Sequence, residues 1–105
     1  MSSKADWKLF RTKLPDWQEA YMEKLMKKYA KIISSDKPAS DKFWELEKRI
    51  KKDRKHPGVL VELEKSEMDF ILAQLVKDKV IPLSELDEFS EETKSFVYHL
   101  LGLDR

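Results

Sequence analysis

Residues 15–34, PDWQEAYMEKLMKKYAKIIS, establish the helical character of the chain. Apolar side chains recur in this stretch at steps of three and four residues, which is the spacing of a helix. They cover about half of the helix circumference, wider than the single apolar stripe of a surface helix. We therefore predict a central helix over about residues 15–34 that neighbours contact from two sides. The recurring side chains are Trp17, Tyr21, Met22, Leu25, Met26, Tyr29, Ile32 and Ile33.

The rest of the 105-residue chain also has the composition of a helical protein. It contains only two glycines, and long stretches of Lys, Glu, Leu, Met and Ala favour helix. Turn signals separate the helical stretches at short intervals. We therefore predict one domain, residues 1–105, with an all-α fold: a compact bundle of four main helices plus short helical turns, sharing one core.

The helix after the central one is expected to begin with a cap at Ser40 or Asp41 and to end near residue 55. Phe43, Leu46 and Ile50 recur at helical spacing and are predicted to form its buried face.

Two further helices are predicted in the second half of the chain. One begins at Ser66, where SEMD resembles a capping box, and the other runs from Ser90 to Gly102. Residues 58–63, GVLVEL, fit either a strand or a helical turn. We favour helix for them, because no partner strand is visible elsewhere.

The N-terminal arm, residues 1–13, is expected to form a separate short helix, because Pro15 suits the first position of a new one. Trp7, Phe10 and Leu14 in and beside the arm have the i, i+3, i+7 spacing of a helix that lies in a groove. Two interpretations stay open. The arm folds back over the domain's own core, which we favour because burial of large aromatics stabilises a small domain, or it is exchanged with a second subunit.

No recognisable catalytic or metal-binding motif occurs. The two histidines, His56 and His99, are far apart, the chain has no cysteine, and no glycine-rich phosphate loop is present. We therefore expect no enzymatic activity, cofactor, metal or small-molecule substrate. The apolar runs fall short of the roughly 18–20 residues that span a bilayer, and the start lacks the features of a secretory signal. We expect a soluble, cytoplasmic protein without a membrane partner.

The charge is unevenly distributed, although the 21 basic and 20 acidic residues nearly cancel. Residues 1–57 hold 16 basic and 9 acidic residues, whereas residues 58–105 hold 5 and 11. Either the two halves pack together with their charges facing each other, or the asymmetry serves a partner or self-association.

The clearest local example of this uneven charge is a basic face on the second predicted helix. Trp44, Lys48, Lys51 and Lys55 share one side of the helix, within about 60° of each other and about 125° from the expected core. Trp44 can stack on a nucleic-acid base, lie under lysine stems or anchor a protein partner. The lysines would bind phosphate without reading sequence.

The candidate acidic counterpart consists of Glu85, Glu88, Glu91 and Glu92. These features predict a non-enzymatic binding or regulatory module that acts through a protein partner or a homodimer. The alternative is a non-sequence-specific nucleic-acid binder that uses the basic helix 41–56.

Four stretches resemble a small uncharacterised bacterial family of soluble, all-helical proteins. They are LPDWQEAYM (14–22), KFWELEKRI (42–50), PGV (57–59) and FSEE (89–92). The resemblance implies a soluble helical domain and supplies no active-site residues. Members of that family sometimes carry a transferred "multidrug transporter" label, which the composition of this chain contradicts if taken literally. Such a label would fit at most a soluble accessory protein.

Overall fold

The computed structural model describes residues 3–103, and most of them are helical. Four α-helices are present in that range: α1 (Lys4–Ile33), α2 (Ala39–Asp53), α3 (Met68–Lys77) and α4 (Glu91–Leu100). Two 3₁₀ turns, Lys65–Glu67 and Leu83–Glu88, precede α3 and α4. No strand occurs between residues 3 and 103, so the predicted all-α class with four main helices is confirmed.

Helix α1 passes through Pro15 without interruption. The structure differs here from the expectation of a separate short helix in the arm 1–13. Proline removes one helical hydrogen bond, but Pro15 is exposed, so the carbonyl group that loses its donor one turn earlier can bind water. Phe10 and Leu14 before the proline and Trp17 after it enter the same core. This shared packing holds both segments in one helix.

The larger core lies beside the N-terminal half of α1, where α3 and α4 pack. In α3, Met68, Leu72 and Leu75 follow the i, i+4, i+7 spacing of one helix face, and all three are fully buried. The buried members of this core are Phe10, Leu14, Trp17, Met68, Leu72, Leu75, Ile81, Leu86, Phe89 and Val97.

A buried carboxylate joins the start of α1 to the start of α4. Asp6 is 3% exposed. Its Oδ1 accepts a hydrogen bond from the Ser90 N–H at 2.9 Å, and its Oδ2 accepts from the hydroxyls of Ser90 at 2.6 Å and Thr93 at 2.7 Å. Burial by itself raises the pKa of Asp6, but the hydrogen bonds from Ser90 and Thr93 outweigh it and hold the pKa below its usual value. The negative charge also suits the amino end of α4.

Helix α2 folds back along the C-terminal half of α1 and forms a second, smaller cluster there. Its buried members are Leu25, Tyr29 and Ile32, all from α1. The expected single core is therefore divided into two. The molecule is elongated, at 52 × 25 × 17 Å, with a radius of gyration of 16.5 Å. A compact domain of this length would have a radius of about 13 Å.

Residues 58–63 form neither helix nor strand, so the favoured helix is wrong. Val59 packs on the smaller cluster and Val61 on the larger core, whereas Leu60 between them is 63% exposed. The chain leaves a turn at Gly58 and Val59 and then runs without regular secondary structure, which lets the segment reach from one cluster to the other. A helix would shorten this connection by half or more.

Both ends of α4 agree with the sequence prediction. The Ser90 hydroxyl accepts a hydrogen bond from the Thr93 N–H at 3.3 Å, and Gly102 follows the helix with a φ of 75°. A positive φ is readily adopted by glycine, which explains why the helix ends there.

The starts of α2 and α3 differ from the prediction. α2 begins at Ala39, after Pro38, rather than after a cap at Ser40 or Asp41. Ser66 lies inside the 3₁₀ turn that leads into α3, and α3 has no side-chain cap hydrogen bond. Because proline already has a φ close to that of a helix, it can precede α2 without a capping side chain.

Asp6→Asn is expected to destabilise the fold by about 2–3 kcal/mol at pH 7, because one neutral amide oxygen replaces two anionic acceptor oxygens, and hydrogen bonds to a charged acceptor are the stronger ones. The pKa of Asp6 is lowered in the folded protein. Its contribution is therefore complete above the ordinary aspartate pKa of about 3.9 and is lost as the pH falls through the folded value. Urea denaturation should show the difference between wild type and variant shrinking below about pH 4.

Asp16→Asn is the matched control, since Asp16 is an exposed aspartate on the same helix. Its stability should stay within about 0.5 kcal/mol of wild type. Equal losses in the two variants at pH 7 would contradict the role given to Asp6.

Candidate binding surface on the helical hairpin

Helices α1 and α2 form a hairpin along one line of contact. Leu46 of α2 packs on the smaller cluster, and the Tyr29 hydroxyl donates a hydrogen bond to the Asp53 carboxylate near the end of α2. Burial, together with this hydrogen bond and the negative charge of Asp53, raises the pKa of Tyr29 to about 12. The phenol therefore remains a neutral donor at physiological pH.

Helix α2 has no buried residue, although its spacing predicts a core face. Phe43 is 62% exposed and Ile50 is 44% exposed, while Leu46 is only partly buried. The prediction that Phe43 and Ile50 belong to the core is therefore wrong. The physical reason is that the larger core forms on the other half of α1, so α2 has one main neighbour. A single neighbouring helix covers only part of an apolar stripe.

The uncovered apolar side chains of both helices lie on the same flank of the hairpin. The opposite flank is a polar groove lined by Lys28, Lys31, Glu45 and Arg49, among others. The helical step of 100° turns Met26 and Ile33, which are 56% and 57% exposed, away from that groove and towards the side of Phe43 and Ile50. We call this surface the hairpin face; it consists of Met22, Met26, Ile33, Phe43, Leu46 and Ile50.

Charged side chains border the hairpin face along α2. Phe43, Leu46 and Ile50 share a shallow groove with three charged residues: Glu47, Lys51 and Arg54. Two cations and one carboxylate give this border a net positive charge. The hairpin thus presents an apolar surface with a basic edge.

The predicted basic face lies on the side of α2 that points away from α1. Trp44 is 63% exposed, and Lys48, Lys51 and Lys55 are exposed with it. Lys55 lies beyond the end of α2 and extends this face past the helix. The Trp44 ring meets Phe43 edge-on, with 4.9 Å between the ring centroids. The basic face and the hairpin face therefore adjoin at these two aromatic rings.

The predicted acidic face belongs to the other half of the molecule. Glu85 and Glu88, in the 3₁₀ turn before α4, both pair with Lys13 of α1, and the Nζ–Oε2 distance to Glu85 is 3.3 Å. The hydrogen bond to Glu88 outweighs desolvation and raises the pKa of Lys13. Glu91 and Glu92 occupy the first turn of α4. The basic face lies beside the other half of α1, where Asp53 of α2 pairs with Tyr29, about 24 Å along the helix from Lys13.

The residues predicted to anchor the N-terminal arm lie in the chain's own core or against it. Phe10 is fully buried and Leu14 is 4% exposed. The half-buried Trp7 stacks on Phe10 with 5.8 Å between centroids, and the Arg11 guanidinium lies 5.3 Å from the centre of the Trp7 ring. Within one chain, the arm covers its own core.

Sequence reasoning missed a junction between the hairpin and α3. The His56 ring stacks on Tyr21 at 4.9 Å, its Nδ1 accepts a hydrogen bond from the Gly58 N–H at 2.9 Å, and its Nε2 lies 2.8 Å from the Asp78 carboxylate. Because Nδ1 accepts, Nε2 carries the proton and donates it to Asp78. A Cβ atom on Gly58 would lie 2.5 Å from the Tyr21 ring. The only sequence signal is the His56-Pro57-Gly58 turn, which does not reveal its partners.

Residues 3–103 contain no group of three or more His, Cys, Asp or Glu side chains placed to hold a metal ion. In the same range, no helix has the length and apolar character needed to cross a membrane. Comparisons of the chain with protein-family models, curated proteins and solved structures find no match.

The double variant Phe43→Ser/Ile50→Ser is expected to change the free energy of unfolding by less than about 1 kcal/mol, because both side chains are already exposed. Leu25→Ala, at a position that is 5% exposed, should lose about 2–4 kcal/mol. Both are measured by urea denaturation at low protein concentration, where association contributes least. A loss of several kcal/mol in the serine variant would place Phe43 and Ile50 in the core.

Proposed function

We propose that this protein is a non-enzymatic binding module and that the hairpin face is the surface through which it binds protein. The observation that carries the proposal is the exposure of Met26, Ile33, Phe43 and Ile50 on one flank of the hairpin. Single exposed apolar residues are ordinary on protein surfaces. A contiguous apolar patch with a polar border is typical of interaction sites.

The energetics of α2 support this proposal. Phe43, Leu46 and Ile50 have the i, i+3, i+7 spacing of a helix that packs in a groove, yet only Leu46 is partly buried against a cluster, while Phe43 and Ile50 stay exposed. Burial of a side chain such as Phe or Ile contributes roughly 1.5–3 kcal/mol. A partner that covered Phe43 and Ile50 would gain this free energy on binding.

The border of the face indicates the chemistry of the partner. Phe43 and the adjoining Trp44 are large aromatic side chains of the kind that anchor protein interfaces. Lys51 and Arg54 make the edge basic. A partner with an apolar centre and an acidic border would complement both features.

The test begins with the immobilised protein and cell extract, from which bound proteins are identified and purified. The affinity of each purified partner is then measured by calorimetry for wild type and for Phe43→Glu/Ile50→Glu. The double variant should bind at least about 100-fold more weakly, because it places two charges where apolar contacts form.

Ala20→Glu is the control, since it adds a negative charge at an exposed position of α1 away from the hairpin face. It should bind like wild type. Unchanged affinity in the double variant would show that the hairpin face is not the binding surface.

The exposure of Trp44 supports a second candidate function, non-sequence-specific binding of nucleic acid. Trp44 is 63% exposed and shares the solvent side of α2 with Lys48 and Lys51. An exposed indole can stack on a base while neighbouring ammonium groups contact phosphates. Such binding weakens steeply with salt, because phosphate contacts release counterions.

Titration with single- and double-stranded nucleic acid at about 50 and 200 mM salt tests this candidate by tryptophan fluorescence. Saturable quenching that weakens at the higher salt is the expected result. Trp44→Phe should lose the quenching, whereas Trp7→Phe, a control at a half-buried tryptophan, should keep it. No binding at either salt would reject this function.

A further inference from the structure

We infer that the hairpin face is covered by a second copy of this chain, bound antiparallel, so that the hairpin face of each copy lies against an acidic groove of the other. The inference rests on the proposed function, because it names the partner of the same surface. A complementary groove, the position of that groove and the exposed area of the single chain support it.

The acidic groove lies between the connection that follows α2 and helix α3. Leu60 and Phe70, which are 63% and 53% exposed, supply its apolar surface, and Glu62, Glu64 and Glu67 border it. We use the name acidic groove for these five residues. Like the hairpin face, it is apolar at the centre and charged at the edge, but its charge has the opposite sign.

The distribution of charge along the chain favours the antiparallel arrangement. Residues 21–56, at the hairpin end of the molecule, hold 12 basic and 6 acidic residues, whereas residues 3–20 and 57–103, at the other end, hold 8 and 13. Antiparallel packing places the basic end of each copy beside the acidic end of the other. Packing of hairpin against hairpin would instead bring the basic edges formed by Lys51 and Arg54 together, which is unfavourable.

The acidic groove begins about one helical turn from the hairpin face along α1. Gln18, Met22 and Met26 follow one another at four-residue steps and therefore share one stripe of the helix. The Gln18 Nε2 donates a hydrogen bond to the carbonyl of Pro57 at 3.0 Å, and Pro57 lines one end of the acidic groove. The groove thus begins beside the stripe that continues into the hairpin face. A two-fold axis across α1 would form two identical contacts and close the dimer.

The surface of the single chain is large enough for such a dimer. Its accessible area is 7459 Å², whereas a folded monomer of 12.5 kDa is expected to expose roughly 6,200 Å². The elongated shape therefore adds roughly 1,300 Å². A stable interface of standard size buries about 800 Å² on each partner. The additional surface can supply both contacts.

Sedimentation velocity over a range of protein concentrations, at about 50 and 500 mM salt, tests the inference. Wild type should sediment as a dimer with twice the 12.5 kDa mass of the chain. The dissociation constant of this dimer should rise at high salt, because salt screens the charged edges. Lys51→Glu/Arg54→Glu on the hairpin and Glu62→Lys/Glu64→Lys on the groove should each raise the dissociation constant at least about tenfold, because each brings like charges together.

An equimolar mixture of the two charge-reversed variants distinguishes this arrangement from other dimers. In the antiparallel heterodimer both contacts again join opposite charges, so the mixture should recover the dimer. Lys28→Glu/Lys31→Glu, the same change of charge in the polar groove on the opposite flank, is the control and should dimerise like wild type.

Three results would overturn the inference: a monomeric wild type at all concentrations, a groove variant that dimerises normally, or a mixture that stays monomeric. The first of these leaves the proposed function standing if Phe43→Glu/Ile50→Glu still abolishes binding of another purified protein. Both proposals fail if wild type is monomeric and that variant binds every captured partner as wild type does.

Discussion

Helix α1 has 30 residues and is about 45 Å long, and the other three helices pack at different positions along it. α3 and α4 have ten residues each, about 15 Å, so their core covers only the N-terminal half. α2 packs on the C-terminal half of α1, and within residues 3–103 no further helix packs on the outer side of α2. The length of α1 relative to its partners therefore leaves part of the apolar surface of the hairpin uncovered.

Polar contacts hold each of the other helices at its position along α1. Asp6 binds the amino end of α4, and the Tyr29 hydroxyl binds Asp53 of α2. Between them, His56 stacks on Tyr21 and reaches Asp78 after α3. Among the described residues, every buried side-chain nitrogen or oxygen has a hydrogen-bond partner. Because an unpaired buried polar group is costly, these contacts oppose sliding of one element along another.

Three of the sides of α2 differ in chemistry. Leu46 and Asp53 contact α1, Phe43 and Ile50 form an apolar side, and Trp44 begins a basic side. The last two sides meet where the rings of Phe43 and Trp44 touch. A small helix with one covered side can thus present both an apolar and a cationic surface to a partner. In this way the incomplete packing of α2 connects the fold to the proposed binding function.

The helical class, the end of α1 near Ile33 and both ends of α4 follow from the sequence alone, because these depend on signals within a few turns of the chain. The sequence alone does not determine that α1 continues through Pro15, since this depends on the packing of Phe10 and Trp17 against residues far along the chain. The spacing of Phe43 and Ile50 likewise predicts an apolar stripe, but a stripe that enters a core and a stripe left for a partner have the same spacing. The tertiary structure distinguishes the two stripes, because the position of α3 and α4 along α1 determines which apolar side chains are covered.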